Sequence, residues 1–405
     1  MRFTLFIKTL LPCLLMAWLT SAATAETKAP PSRSAQAMAL VDSLHEKKLP
    51  QPRPFGETEG DLFEAMAGGL VPADPAFCER IKLVEVTDGL LPVLDQPFPL
   101  SMVSGPIVET RGNLIAARLF ALRGHLLCQQ GKVAEGQAWL LKPRLLARRE
   151  GGDRSLIHTL TAMALEGIGL QTPALYAETW PKADRMAYLK SAEALTPLAD
   201  LATAIRKDNE SLPKNQRIPA LIAEFKSRDA AQQQAVIKER FGPLFGTTVE
   251  HQVILRRLQG LVTNLTPESW LALTEKISGE LAPLTIEKAQ AFTARNAAAL
   301  QSVQAEEAKP SLQTTATAPS AEKAEALYRV LIGPGVEGTA RSRLNLVNMA
   351  KLLEILMQKG ASFDAKDLAT VTDANGKPVR IGTYEGSKAV LASDGRLFLT
   401  LGPIK

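Results

Sequence analysis

The run Gly124-His125-Leu126-Leu127-Cys128-Gln129-Gln130-Gly131-Lys132-Val133-Ala134-Glu135-Gly136-Gln137-Ala138-Trp139-Leu140 decides the fold. Upstream of it, Ile107 to Gln130 carries Leu114, Ala117, Ala121 and Leu122 on one side, the spacing of an amphipathic helix. Gly131 ends that helix, because glycine accepts the left-handed conformation that closes one. A second helix is expected from Val133 to Arg149, broken or bent at Pro143 and closed by Gly151-Gly152. Asp153 then caps a third, from Arg154 to Leu170, with Leu156, Leu160, Ala164 and Ile168 in one stripe. Helices joined by such short connections lie antiparallel, so the pattern predicts helical hairpins.

Toward the amino terminus, Ala35 to Lys47 reads as a short helix with Ala37, Leu40, Val41 and Leu44 on one face. Leu49-Pro50-Gln51-Pro52-Arg53-Pro54 breaks it, and short helices interrupted by Gly68-Gly69, Pro72, Pro75 and Pro92 follow. Residues 1–25 read as a secretory signal peptide. Arg2 and Lys8 supply the positive region, Thr9 to Leu19 is too short to span a bilayer comfortably, and Ala23-Thr24-Ala25 precedes a cut between Ala25 and Glu26. The mature chain is expected in the periplasm or outside the cell, with no membrane span after cleavage. Pro12 stands before Cys13 where a lipid-anchor motif needs a small residue, which argues against lipidation.

Toward the carboxyl terminus, Ala183 to Gln301 continues as helices, with Thr266-Pro267-Glu268 a good start signal. Ala308 to Ser320, rich in Thr and Pro, reads as a linker. It separates a helical body, residues 26–307, from a module over residues 321–405. The module is expected to begin with helices from Ala321 to Ile332 and from Ala340 to Gln358, with Gly333-Pro334-Gly335 as a connector. The latter helix carries Leu346, Met349, Leu353 and Leu356 at helical spacing. Then the period changes to two: Val379, Ile381 and Thr383 alternate, as do Leu397, Leu399 and Leu401. Asn375-Gly376 and Asp394-Gly395 are hairpin turns, and Glu385-Gly386-Ser387 is another reversal. The expected fold is mainly α, an array of helical hairpins (solenoid-like at most), with a small carboxyl-terminal α+β module of a helix and an antiparallel meander.

The chain has 405 residues, enough for one large or two modest domains. Removing Arg2 and Lys8 with the leader lowers the net charge from +5 to +3, too mild to argue for nucleic acid. Lys142, Arg144, Arg148 and Arg149 form the only tight basic cluster, read as a solvated helix face. Cleavage leaves two cysteines, Cys78 and Cys128. In an oxidising compartment they form either one structural disulfide or two separately buried thiols, and sequence does not choose between them.

Asp373, Gly376 and Pro378, followed by Ser393, Asp394, Gly395, Leu397, Leu399 and Gly402, carry a resemblance. This block resembles the globular end of type II secretion major pseudopilins, where a long helix leads to an Asp-x-x-Gly-x-Pro turn, a short sheet and an Asp-Gly hairpin. The same ending is similar to that of a group of uncharacterised exported bacterial proteins with long helical bodies. Ala374 replaces the usual Pro, the prepilin leader is absent, and the acidic calcium ligands expected after the final Gly are missing, so neither filament assembly nor calcium binding is implied. Gly124, Leu127, Gly131, Gly136 and Leu140 fall near the spacing of a tetratricopeptide helix pair, with no second clear copy.

His125 and Cys128, i and i+3, could offer two ligands to zinc, but no second pair exists, so no metal is expected. Asp153, Ser155 and His158 are too close together on one helix for triad geometry. Asp373, Asn375 and Gly376 echo a calcium loop whose first and last positions, Val371 and Gly382, cannot serve as ligands. No catalytic or cofactor-binding residue is assigned. The expectation is an exported, non-enzymatic binding, scaffold or assembly protein of the cell envelope with a protein or peptide partner. The alternatives are a hydrolase or transferase with an unrecognised site, and an accessory of a secretion apparatus.

Overall fold

Helix α1 (Arg33–His45) buries Ala37, Val41 and Leu44, the face its spacing marks out. This computed structural model describes residues 33–53, 55–95, 105–151, 156–204, 267–307, 321–384 and 387–401, with isolated positions 229 and 232. The leader, the Ala25/Glu26 cleavage point, the 308–320 linker, Asp153, Ser155, Gly402 and the Glu385-Gly386 reversal lie outside the described residues. The protein is mainly helical with a small carboxyl-terminal antiparallel sheet of three strands. Among the described residues no helix is long and apolar enough to cross a membrane.

The proline-rich run after α1 differs from the expected break. It forms strand β1 (Lys48–Arg53), paired antiparallel with β2 (Gly56–Thr58), with an irregularity between the Lys48–Thr58 and Arg53–Gly56 pairs. Proline is tolerated there because a two-stranded ribbon has an edge on which no N–H is needed. Thr58 caps α2 (Glu59–Ala67) in a capping box with Asp61, and Asp74 caps α3 (Pro75–Arg80), its carboxylate 2.9 Å from the Ala76 N–H. Helices α4 (Leu83–Leu90) and α5 (Pro92–Asp95) complete this layer.

The layer packs on α6 (Gly105–Gln129), whose Leu119, Phe120 and Leu122 share one core with Phe63, Met66 and Phe77. Gly131, at a φ of 77°, closes α6 as predicted, and the Lys132 N–H reaches the Leu127 carbonyl at 3.0 Å. Helix α7 (Val133–Glu150) runs unbroken through Pro143. It meets α6 where neither helix carries a Cβ: one built on Gly136 would lie 3.0 Å from the Gly124 carbonyl and 2.4 Å from Cys128 Sγ. One built on Gly124 would lie 2.7 Å from the Leu140 side chain. Helices α8 (Leu156–Ala174) and α9 (Lys182–Glu193) follow.

The chain divides by its contacts into two units. One comprises the described parts of Ala23–Gly152, His158–Ala199 and Ser342–Lys405. The other holds α10 (Pro267–Glu280), α11 (Ile286–Glu307) and the first part of α12 (Ala321–Lys359) around Ile277, Leu281, Phe292, Tyr328 and Val336. The two helices expected on either side of Gly333-Pro334-Gly335 are one helix, α12. Pro334 removes a helical donor, yet Val336 and Ala340 just beyond it are buried, and tertiary packing overrides the local break signal. Gly333 fits because a Cβ there would lie 2.6 Å from Asn296 Nδ2.

From Ser342 on, α12 belongs to the first unit, with Leu346, Leu353 and Leu356 buried and Met349 half-buried. Arg185 of α9 donates to the Met357 carbonyl at 2.7 Å, closing the end of α12. Strands β3 (Arg380–Tyr384), β4 (Ser387–Leu391) and β5 (Leu397–Thr400) form an antiparallel meander in the order β3-β4-β5. Gly376 and Gly395 stand at φ of 76° and 79°, as their turns require. The alternation expected in β5 is absent, because Phe398 and Thr400 are buried along with Leu399.

Gly136→Ala should destabilise the protein by about 1–3 kcal/mol, since the added methyl meets backbone that cannot move aside cheaply. Urea unfolding measures this, and wild-type stability would show that the α6–α7 contact has slack.

Candidate functional site

Five charged or titratable groups of the α6–α8 helices, His125, Arg144, Glu150, His158 and Glu166, are buried. Glu166 of α8 is the only acidic residue in that helix and is buried. Its carboxylate accepts from Arg144 Nε at 3.0 Å and from Arg148 Nη2 at 3.1 Å, with a further short bond from Arg148 Nη1. Arg148 also donates to the Thr196 carbonyl at 2.9 Å. Burial, reinforced by the neighbouring cations Arg144 and Arg343, holds Arg148 down to about 10. The solvated-face reading of the basic cluster therefore fails at Arg144 and Arg148. Gly169 makes the arrangement possible, because a Cβ there would lie 2.3 Å from Arg144 Cγ.

A second buried carboxylate, Glu150, accepts from Asn113 Nδ2 at 3.0 Å and lies 3.9 Å from His158 Nε2. His158 is thus set against an acid from α7, and neither Asp153 nor Ser155 is among the described residues. His125 is buried with Nδ1 2.9 Å from the Tyr176 hydroxyl, and Tyr176 stacks on Trp180 with centroids 5.2 Å apart. Burial pushes His125 down to about 4, with the Ala67 carbonyl opposing. Among the described residues no group of three His, Cys, Asp or Glu side chains could hold a metal ion. Cys78 and Cys128 are free thiols, and burial drives both up to about 12.

Asp373 works as a structural hub in its turn. It accepts from the N–H groups of Asn375 at 2.8 Å, Lys377 at 3.1 Å and Ser393 at 3.2 Å, and from the Ser393 hydroxyl. Burial raises its pKa, but these hydrogen bonds together outweigh burial and hold the carboxyl below its usual range.

A partly exposed polar group lies on the α6–α7 hairpin. Trp139 of α7 is half-buried, with the Arg123 guanidinium 3.8 Å and Lys142 Nζ 4.6 Å from its ring centroid. Arg123 is engaged by Asp88, by the Thr87 hydroxyl at 2.7 Å and by the Val84 carbonyl at 3.3 Å. Lys142 has no ion pair or hydrogen bond among the described residues. Burial lowers its pKa, Arg123 adds to the effect, and Asp95 and Asp88 oppose it. Val84 beside this group is 53% exposed, high for a large apolar side chain. Sequence reading missed the group because Arg123 and Lys142 meet only across the hairpin. It missed Glu166 too, although a lone acid inside an apolar helix does signal a buried partner. No protein-family model, curated protein or solved structure matches the chain.

Glu166→Gln should cost about 3–5 kcal/mol, because two guanidiniums lose the carboxylate that answers them inside the fold. Chemical unfolding at neutral pH gives the value, and a loss below about 1 kcal/mol would mean that water reaches the cluster.

His125 predicts a pH dependence of defined sign. Its folded value near 4 lies below the unfolded value of about 6.5, so the unfolded chain binds more protons between them. Stability from this group is complete above about pH 6.5 and lost as pH falls, by roughly 3 kcal/mol at pH 4. Urea unfolding of wild type and His125→Gln across that range should show the wild type losing stability more steeply, and parallel curves would refute the assignment.

Proposed function

We propose that this chain is an exported, non-enzymatic binding or assembly protein of the cell envelope that engages a protein or peptide partner. The observation that carries this reading is the Arg123–Trp139–Lys142 group beside exposed Val84. An amphipathic aromatic ring flanked by cations, next to uncovered aliphatic surface, is the composition that favours macromolecular contact. The buried acids and bases point the same way. Glu166 is used by Arg144 and Arg148, Glu150 by Asn113, and His125 by Tyr176, so these groups hold helices together. Export rests on the leader read at residues 1–25.

A secretion-apparatus accessory is the second reading. It draws on the long helix that leads into the Asp373 turn and the Asp394-Gly395 hairpin.

Two measurements test the proposal together. Mass spectrometry of the protein recovered outside the cytoplasm should give a mature chain that begins at Glu26. Affinity capture from the envelope fraction should retain a saturable partner that free protein competes away. A retained Met1, a lipid on Cys13, or capture that competition does not reverse would each remove support for the reading.

A further inference from the structure

We propose that the Arg123–Trp139–Lys142 group seats a carboxylate of an acidic peptide segment, with Lys142 as its donor. This rests on the binding reading given above and names the chemistry of the partner. Two cations converge on one ring, at 3.8 and 4.6 Å from its centroid, and of the two only Arg123 makes a contact ion pair among the described residues, Asp88 and Asp95 acting on Lys142 from farther off. Arg123 is neutralised by Asp88 and further held by Thr87 and the Val84 carbonyl, so it is fixed in place. Lys142 has three donors on Nζ and no acceptor among the described residues, and it is only partly exposed. An ammonium held partly out of water by an indole, next to a second cation, gains more from an incoming carboxylate than a fully hydrated lysine does. The Asp88–Arg123 contact shows that a carboxylate fits against this cluster. Val84, 53% exposed and linked to Arg123 through its carbonyl, offers apolar surface on the same patch. An acidic segment with an aliphatic neighbour complements both features, whereas a basic segment would meet the Lys142 ammonium with like charge.

The test uses the full mature chain and an octaglutamate peptide as the probe, with octalysine as the charge control, followed by titration calorimetry at low and high salt. Octaglutamate should bind, more weakly at high salt, and octalysine should not. Lys142→Gln should weaken octaglutamate binding at least about tenfold, while Lys142→Arg stays within about threefold of wild type. Both variants should melt like wild type, since Lys142 makes no ion pair that the fold needs among the described residues. Absence of octaglutamate binding, equal binding by Lys142→Gln, or equal binding of octalysine overturns the inference. Envelope capture separates the two levels of the argument. A partner captured equally by wild type and Lys142→Gln defeats the carboxylate seat and leaves the binding reading intact. Octaglutamate binding through Lys142 with no captured envelope partner leaves the seat and defeats the cellular role.

Discussion

Two glycines that face each other across a helical hairpin set the geometry on which the first unit depends. Gly124 of α6 and Gly136 of α7 bring their backbones together at a separation that a single methyl would prevent. Once that crossing point is fixed, the phase of α7 is fixed as well. Leu140 lies against Gly124 and Gln137 is buried, while Trp139 remains half-exposed beside Arg123. About two and three turns along the same helix, Arg144 and Arg148 are delivered to Glu166 of α8. The aromatic surface patch and the buried ion cluster are therefore consequences of one packing choice. A small change in crossing angle would move both.

Helix α8 accommodates that delivery through residues that are poor helix formers. Gly169 gives Arg144 room to pass. Pro173 has no N–H to offer the Gly169 carbonyl four residues earlier, and the Tyr188 hydroxyl of α9 approaches that carbonyl at 3.4 Å. A missing Cβ and a missing N–H thus serve the same place in the fold. Such buried charge adds less to net stability than apolar packing of equal volume would. What it adds here is discrimination: a helix shifted in register would strand two guanidiniums in the interior.

The legible parts of the sequence were those decided within a few residues. Gly131 at the end of α6, the Asp-Gly turn at Gly395, and the apolar stripe of α1 all depend on local backbone preference or one period. The illegible parts needed a partner from elsewhere. Glu166 answers arginines 18 and 22 positions away, and the basic cluster looked solvated because that acid is invisible from α7 alone. Pro334 looked like a break because its compensation comes from packing around Val336 and Ala340, not from neighbouring residues. Leu397, Leu399 and Leu401 suggested one buried face, yet Phe398 and Thr400 are covered too, so period two lost its meaning once both sides of β5 were enclosed. The proposed patch lay hidden for the same reason as Glu166: Arg123, Trp139 and Lys142 become neighbours only in the folded hairpin.

Arg185 has a consequence for how the protein is made. Its guanidinium sits on the Met357 carbonyl, a contact that spans 172 positions of the chain, and the Lys388–Glu178 pair spans 210. A chain emerging from its amino terminus at about 5–20 residues per second completes the hairpin helices roughly 10–30 s before Met357 exists. During that interval the surface destined for α12 and the sheet has no cover of its own. Such long-range closure is slow, and it leaves apolar surface available to wrong partners. The part of α12 beyond Ser342 and the three strands thus act as a latch that closes the first unit last.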